Sequence, residues 1–317
     1  MIASYATFSS DHNKNSSILI FRATFKAIPL FNYDLHNHTN ASDGMLTPEA
    51  LILLAKTGGC DAVAVTDHDT IAALAPARIA ANANALRFIA GVEISVTYHY
   101  VDRETEAAGE TTLHIVGLDI DESNPQLLSL LSEIRAGRII RAGKIAEDLD
   151  KVGVSGTFEG AIAMAENKEM IGRTHFARHL VARGVEKNVG RVFNKYLAKG
   201  KPGYVAHEWT SLEEAVSTIH AAGGLAVIAH PGRYRVSPTA IRDLFEQFKA
   251  LGGDAIEVIT GSHKTAQFQE YTKLALEFEF LASRGADFHA LGESPFLPGS
   301  LPVLSSALTP VWSKFRV

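Results

Sequence analysis

With one cysteine, Cys60, in 317 residues, the chain has neither a disulfide framework nor a Cys-rich metal knuckle, and this usage fits a reducing compartment. No apolar run approaches the roughly 20 residues that span a bilayer. The start, MIASYATFSSDHNKNSS, lacks a basic segment followed by a long apolar core. These absences argue against a secreted disulfide scaffold and a membrane protein, and a cytoplasmic location is expected. Also missing are a nucleophile elbow, a P-loop, a Cys/His pair of catalytic type, an internal repeat and a low-complexity tract. What is plentiful is histidine, 13 residues of it, in a chain whose 46% hydrophobic content can bury a large core.

Net charge is −5, but unevenly spread. Pro125 to His207 carries 14 Lys and Arg against 8 Asp and Glu, or +6, which leaves −11 for the remainder. Such a split suggests an anionic ligand beside one segment and cation-holding carboxylates elsewhere.

Residues 1–32, polar at first and then mixed, read as an extension of unassigned role. From Tyr33 short apolar runs ending in polar residues alternate with Ala/Leu-rich helical stretches, a β/α rhythm. Seven strands are expected at Tyr33–His38, Ala62–Asp67, Phe88–Ser95, Thr111–Leu118, Ala226–His230, Ala255–Ile259 and Phe280–Asp287. Thr47-Pro48-Glu49 places a cap and a proline ahead of one helix, and Ser211-Leu-Glu-Glu reads as a capping box before another. The rhythm stops between 125 and 207, where helices are broken near Gly153, Gly156, Gly172, Gly184 and Gly200. The expected organisation is therefore a barrel over 33–124 and 208–317, interrupted by a helical, substrate-binding insertion over 125–207.

The chemistry gathers at strand ends. YDLHNH carries His36 and His38, and alternate strand residues share a face, so both imidazoles can reach one point. Asp43 follows in the ASDG turn, where turn capping is an equal explanation. AVAVTDHDT puts Asp67, His68 and Asp69 after a buried run; GVEIS supplies Glu93, TTLHIVG His114, AVIAHPG His230, and GADFH Asp287 and His289. Singly, each has an ordinary structural explanation. Together, five of the seven strands deliver His, Asp or Glu at or just past their C-terminal ends, the face where barrels assemble active sites. Six imidazoles and three carboxylates suffice for two or three divalent ions, and mixed N/O ligation suits Mn²⁺, Zn²⁺ or Fe²⁺.

This ordered set, from His36-x-His38 through Asp43, Thr66-Asp67-His68, Gly91-Val92-Glu93, His114 and His230-Pro231 to Asp287-x-His289, resembles the PHP (polymerase and histidinol phosphatase) family of metal-dependent phosphoesterases. The likeness runs from about Tyr33 to about Pro295, and is closest to the bacterial branch of RNase AM-type 5′-3′ exoribonucleases and 3′,5′-nucleoside bisphosphate phosphatases. GRTHFAR, FNKYLAKGKPGYV and AVIAHPGRY support that branch. Two departures are Asn37, where the branch often has Ser, and Ala286, which replaces a common Ser. The resemblance implies a distorted seven-stranded β/α barrel with a helical insertion. It implies one ion on His36, His38, Glu93 and Asp287, a second sharing Glu93 with His114 and His230, and a third on Asp43, His68 and His289. Asp43, His68, Glu93, His230 and His289 would be catalytic as ligands, with manganese the expected metal.

Metal-activated attack on phosphorus needs no protein nucleophile, and none is visible. Holding the substrate calls for guanidinium and ammonium donors. Arg173, His175, Lys201 and Arg233 are the expected phosphate contacts, with Arg178 and Lys199 also in reach, whereas Arg135, Arg138 and Arg141 read as a solvated helix face. His175 and His207 are weak candidates for a general acid. His12, His99, His179, His220 and His263 carry no motif and read as structural or surface residues.

The reading is an enzyme that hydrolyses the P–O3′ bond of 3′,5′-bisphosphonucleotides (pAp to AMP), trims 5′-phosphorylated short single-stranded RNA from its 5′ end, or both. No membrane or obligate protein partner is expected. Rivals are a phosphatase for a small monoester such as histidinol phosphate, an RNA-associated module with a structural metal site, and an amidohydrolase. The basic insertion argues against the first, the intact ligand set against the second, and Glu93 in place of a carbamylated-lysine-type bridge against the third.

Overall fold

The computed structural model describes residues 31–103, 105–206 and 208–316. The extension expected over 1–32 falls outside them except for Phe31 and Asn32, and His12 and His207 also lie outside. Seven strands form one sheet in sequence order: β1 Tyr33–Asp34, β2 Ala62–Val65, β3 Arg87–Val101, β4 Ala108–Leu118, β5 Leu225–Ile228, β6 Ala255–Thr260 and β7 Leu281–Gly285. Pairing is parallel except that β4 runs antiparallel to both β3 and β5. Backbone bonds from Leu35 to Arg284 (3.0 Å), Asp287 to His36 (2.8 Å) and His38 to Phe288 (2.9 Å) join the first strand to the last. The sheet is thus a nearly closed, mixed barrel.

The strand residues are buried on both faces, as a helix-covered barrel requires. Ala62, Ala64, Ile89, Val116, Val227 and Ala255 fill the interior, while Val63, Val65, Ile115, Ile228 and Ile256 pack under the helices. Small side chains inside follow from the narrow bore. Tyr33 stacks on Trp312 (4.8 Å, 9°) at the bottom. Continuing the interior faces upward by twos leads from Ile89 to Glu93, from Val116 to His114, from Ala64 to His68 and from Ala255 to Glu257, so the apolar floor gives way to a polar centre.

Two expected strands differ in extent. The first pairs as a ladder only at Tyr33–Asp34; beyond it the backbone of Leu35–His38 bonds to Arg284 on β7 and to Asp287 and Phe288 just past it, keeping one bond on the β2 side, from the Thr66 amide to the Asn37 carbonyl (2.9 Å). The hairpin of β3 and β4 is longer than expected and pairs out to Val101↔Ala108, so Glu93 lies mid-strand rather than at a strand end. Among the helices, α1 (Pro48–Thr57) is capped by Thr47 with Pro48 following it. Helix α7 (Leu212–Ala221) is capped by Ser211, but the reciprocal half of the expected capping box is absent: the Glu214 carboxylate takes the Thr210 hydroxyl instead.

Between β4 and α7 come α3 (Pro125–Asp150), α4 (Thr157–Ala163), α5 (Arg173–Ala182) and α6 (Val189–Val192), which runs into a π-helical turn at Phe193–Leu197. The first half of α3 packs Leu127, Leu130, Leu131 and Ile134 onto the barrel layer. Its second half joins α5 and the π turn in a separate apolar cluster around Ile145, Leu149, Phe176 and Leu180. Outside this segment, α2 (Leu74–Ala83), α8 (Pro238–Ala250) and α9 (Thr265–Glu277) cover the barrel. No described helix is long and apolar enough to cross a membrane.

The closure of the barrel is tight at one point. A Cβ on Gly285 would lie 2.2 Å from His36 Cβ and 2.6 Å from the His36 nitrogen. Gly285→Ala is expected to part β1 from β7 and destabilise the fold by about 1–3 kcal/mol, measured as a lowered midpoint in urea unfolding at unchanged slope.

Candidate metal centre

Glu93 is the hub. Its Oε2 lies 3.3 Å from the Nε2 atoms of both His36 and His38 and 2.9 Å from His68 Nδ1; its Oε1 lies 2.9 Å from His114 Nδ1 and 3.0 Å from His230 Nε2. Asp287 Oδ1 stands 3.6 Å from His36 Nε2 and 3.3 Å from His38 Nε2. On the far side, Asp43 Oδ1 is 3.3 Å from His289 Nε2 and 3.9 Å from His68 Nε2. All nine residues expected to bind metal are therefore brought together. Donor atoms of eight of them fall into three overlapping groups: His36, His38 and Asp287; His68, Glu93 and His114; and His38, Asp43, His68 and His289; His230 joins through Glu93. Here His68 stands with Glu93 and His114, and His38 joins the Asp43 side, two groupings that the family-based partition does not contain.

Hydrogen bonding does not account for this packing. His38 Nδ1, Asp43 Oδ1, His68 Nδ1, Glu93 Oε2, His230 Nδ1 and Asp287 Oδ1 are buried without a hydrogen-bond partner. Imidazole nitrogens also face each other, His36 and His38 at 3.1 Å and His114 and His230 at 3.3 Å. Buried polar atoms are otherwise nearly always satisfied. Buried donor atoms converging without hydrogen-bond partners fit divalent cations, and this mixed imidazole and carboxylate set suits a borderline ion.

The electrostatics run the same way. Burial works to neutralise Glu93, but the imidazoles of His68, His114 and His36 overcome it and hold its carboxyl well below the usual range. Asp43 and Asp287 are likewise held low against burial, chiefly by His289 and by His36. Burial pushes His38 and His230 down to about 3, so both keep free lone pairs at neutral pH.

A second layer of buried carboxylates holds these candidate ligands. Glu257 accepts from His36 Nδ1 (2.8 Å) and from the His230 amide (2.6 Å). Asp67 accepts the Thr39 amide and hydroxyl, both at 2.7 Å, fixing the loop that leads to Asp43. Arg178 donates to the Asp43 carbonyl at 2.6 Å and is paired with Glu293. His263, read from sequence as structural or surface, is buried and accepts the Gly232 amide at 2.9 Å, which pins the turn between His230 and Arg233. Three non-glycine residues here have positive φ: Asp69 (45°), His230 (30°) and Asp287 (53°). Such strain persists only where the surroundings over-determine the backbone.

Beside the ligands lies a cavity of about 150 Å³ lined by Arg138, Arg141, Arg173 and Trp209. Arg138 and Arg141 are not a solvated face: both are buried, and their guanidinium groups lie 4.9 and 5.2 Å from the Trp209 ring centre. Arg138 pairs with Asp69. Burial and the neighbouring Arg173 and Arg138 push Arg141 down to about 9. Arg173 sits between Phe193 (5.9 Å) and Tyr204 (5.8 Å).

Of the other expected phosphate contacts, half-exposed Arg233 donates to Asp287 Oδ2 at 2.9 Å. His175 is buried and is not itself part of the cavity lining, its Nδ1 accepting the Gly172 amide at 3.1 Å, so it caps α5. Lys201 is exposed and lines no part of the cavity. The clue to Arg138 and Arg141 was their three-residue spacing, which on a helix puts both on one face; which face is buried is a tertiary matter.

Residues 34–197 match the PHP domain. The chain belongs to the PHP family. It is 45% identical over 285 residues, 90% of this chain and 96% of the relative, to a 3′,5′-nucleoside bisphosphate phosphatase of Chromobacterium violaceum. It is 41% identical over 277 residues, 85% of this chain and 91% of the relative, to the 5′-3′ exoribonuclease Rnm of Escherichia coli. A solved C. violaceum structure named as an amidohydrolase, with bound sulfate and no metal, aligns at TM-score 0.83 and 44% identity over 89% of this chain and 95% of that one. A candidate metal-dependent phosphoesterase from Bifidobacterium adolescentis aligns at TM-score 0.72 and 27% identity over 90% and 94%. This PHP chain is thus a hydrolase of the phosphoesterase class.

Two outcomes are expected of the PHP centre. Treatment with a chelator lowers the thermal unfolding temperature and a divalent ion such as Mn²⁺ restores it, a stabilisation of about 2.7 kcal/mol when the free ion is 100 times its dissociation constant. Glu257→Gln leaves circular dichroism unchanged but weakens Mn²⁺ binding about 10- to 100-fold in calorimetric titration.

Proposed function

We propose that the chain hydrolyses the P–O3′ bond, converting 3′,5′-bisphosphonucleotides to 5′-nucleotides and trimming 5′-phosphorylated RNA from its 5′ end. The observation that carries the reading is the cluster of buried Arg138 and Arg141 with part-buried Arg173 beside the candidate metal ligands, with one carboxylate partner, Asp69, among the described residues. A buried cation cluster with so little compensation is costly unless an anion joins it. A second phosphate on the substrate is such an anion, and guanidinium forks bind phosphate in two-point fashion. A simple monoester such as histidinol phosphate offers nothing to this cage. The helical segment 125–207 supplies all three arginines and is in this reading the substrate-binding part of the chain.

Bound divalent ions, manganese in the first place, would supply Lewis acidity at the phosphoryl group and its attacking water. The ligands that would hold them are His36, His38, Asp43, His68, Glu93, His114, His230, Asp287 and His289. The chain's other residues position the substrate. Arg138, Arg141 and Arg173 hold the 5′-phosphate, Trp209 gives the two buried guanidinium groups a flat backing, and Arg233 steadies Asp287 while facing the cavity. Lys201 and His175 are left out of the phosphate site, and His175 also as a general acid, since its ring is engaged with the backbone of its own helix.

Product analysis with pAp, a short 5′-phosphorylated RNA and histidinol phosphate in parallel tests the reading. Release of AMP, and of successive 5′-nucleotides from the RNA, is expected; turnover of histidinol phosphate alone overturns it. Arg141→Ala should cut kcat/KM on pAp about 10- to 100-fold, the scale of one charged hydrogen bond, and leave phenyl phosphate within about twofold. RNA with a 5′-hydroxyl degraded as fast as its 5′-phosphorylated form would remove the clamp.

A further inference from the structure

A second groove, of about 360 Å³, opens from the metal cavity between the β3–β4 hairpin, the Phe193–Tyr204 segment and the loop after β5. It shares His114, Arg173, Phe193 and Arg233 with the arginine-lined cavity, so the two meet at the metal ligands. Four of its lining residues are aromatic: Tyr100, Phe193, Tyr204 and Tyr234. Tyr100 is held in place. Its ring lies across Gly109 on the paired strand, where a Cβ would sit 2.4 Å from Tyr100 Cζ, and it stacks on Tyr98 at 6.1 Å and 17°. Glycine opposite an aromatic lets the ring lie flat and rigid over the strand.

The cations of the groove are set for a ligand as well. Arg235 is exposed and, among the described residues, has no ion-pair or hydrogen-bond partner. Lys199 donates to the Glu110 carbonyl at 2.9 Å, tying the inserted segment to the hairpin and roofing the groove. Glu110 is the one carboxylate in the lining. Rings interleaved with backbone-reading cations, in an open channel without a deep specificity pocket, are what single-stranded nucleic acid binds without regard to sequence.

The geometry points to this groove as the track for the 3′-ward strand of a single-stranded RNA, a nucleotide subsite beyond the scissile phosphodiester. The inference rests on the P–O3′ reading above. Water's oxygen bonds to phosphorus, the P–O3′ bond breaks and O3′ takes a proton; a 5′-nucleotide remains in the cavity, and the strand in the groove is one nucleotide shorter with a new 5′-phosphate. A bisphosphonucleotide ends at its 3′-phosphate and leaves the groove empty, so the groove separates the two substrates.

The test compares 5′-phosphorylated hexaadenylate with pAp. Tyr100→Ala and Arg235→Ala should each lower kcat/KM on the hexanucleotide about tenfold while pAp stays within about twofold, and Tyr100→Phe should restore the tyrosine effect. Arg235→Ala should also flatten the slope of log kcat/KM against log salt on RNA by about 0.7. Binding of a 3′-fluorescein, 5′-phosphorylated hexaadenylate to metal-depleted protein, read by anisotropy, should weaken by the same factor. Equal losses on pAp would place the cleaved nucleotide in the groove and overturn the proposal, as would undiminished activity and binding on RNA. If neither substrate is hydrolysed by the native protein, the P–O3′ reading fails, and the anisotropy series still decides whether the groove holds RNA.

Discussion

A carboxylate on the inner face of a barrel strand, Glu93, with five imidazoles against it, is the constraint on which the rest of this structure depends. An isolated anion at that depth would be expelled or protonated. It is kept ionised by groups from four other segments of the chain, so the strands must close before the centre exists and the centre in turn holds the strands together. This reciprocity explains why the barrel is narrow and why its ends meet so closely at Gly285 and His36.

Around that centre the protein spends further buried carboxylates on orientation rather than on ligation. Glu257 fixes His36 and the His230 backbone, Asp67 fixes the loop to Asp43, and Asp69 fixes both Ser95 and Arg138. Metal-ligating imidazoles depend on such partners for tautomer and direction. The positive φ angles at His230 and Asp287 belong to the same arrangement: these two residues reach the centre only by leaving the strand conformation, and the surrounding bonds hold them there.

The inserted helices tie recognition to the same framework. Helix α3 is anchored on the barrel by its first half and supports its own apolar cluster by its second, and Arg138 lies where it passes the metal ligands. Its pairing with Asp69, four residues beyond β2, ties the arginines of the cavity to the same framework as the candidate metal centre. The cavity and the groove then divide the space around the ligands into a closed, cationic side and an open, aromatic side.

The seven-stranded rhythm, the ligand residues and the PHP likeness were legible in the sequence because they are local: period-two burial, caps and short motifs leave their mark within a few residues. The chain also showed that one segment is basic. Pairings between distant segments left no such mark. Arg138 and Arg141 read as solvated because a three-residue spacing defines a face without saying what covers it, and Glu257 sat unnoticed in an apolar strand because its partner, His36, is 221 residues away. His175 and Lys201, expected as phosphate contacts, lie outside the cavity lining for the converse reason: a basic residue in a motif has no direction until the segment bearing it is packed. By itself the sequence determined which side chains are available and on which elements they stand. Only the tertiary structure decided which of them converge, because convergence is set by barrel closure and by the burial of one helix face, neither of which is a local property of the chain.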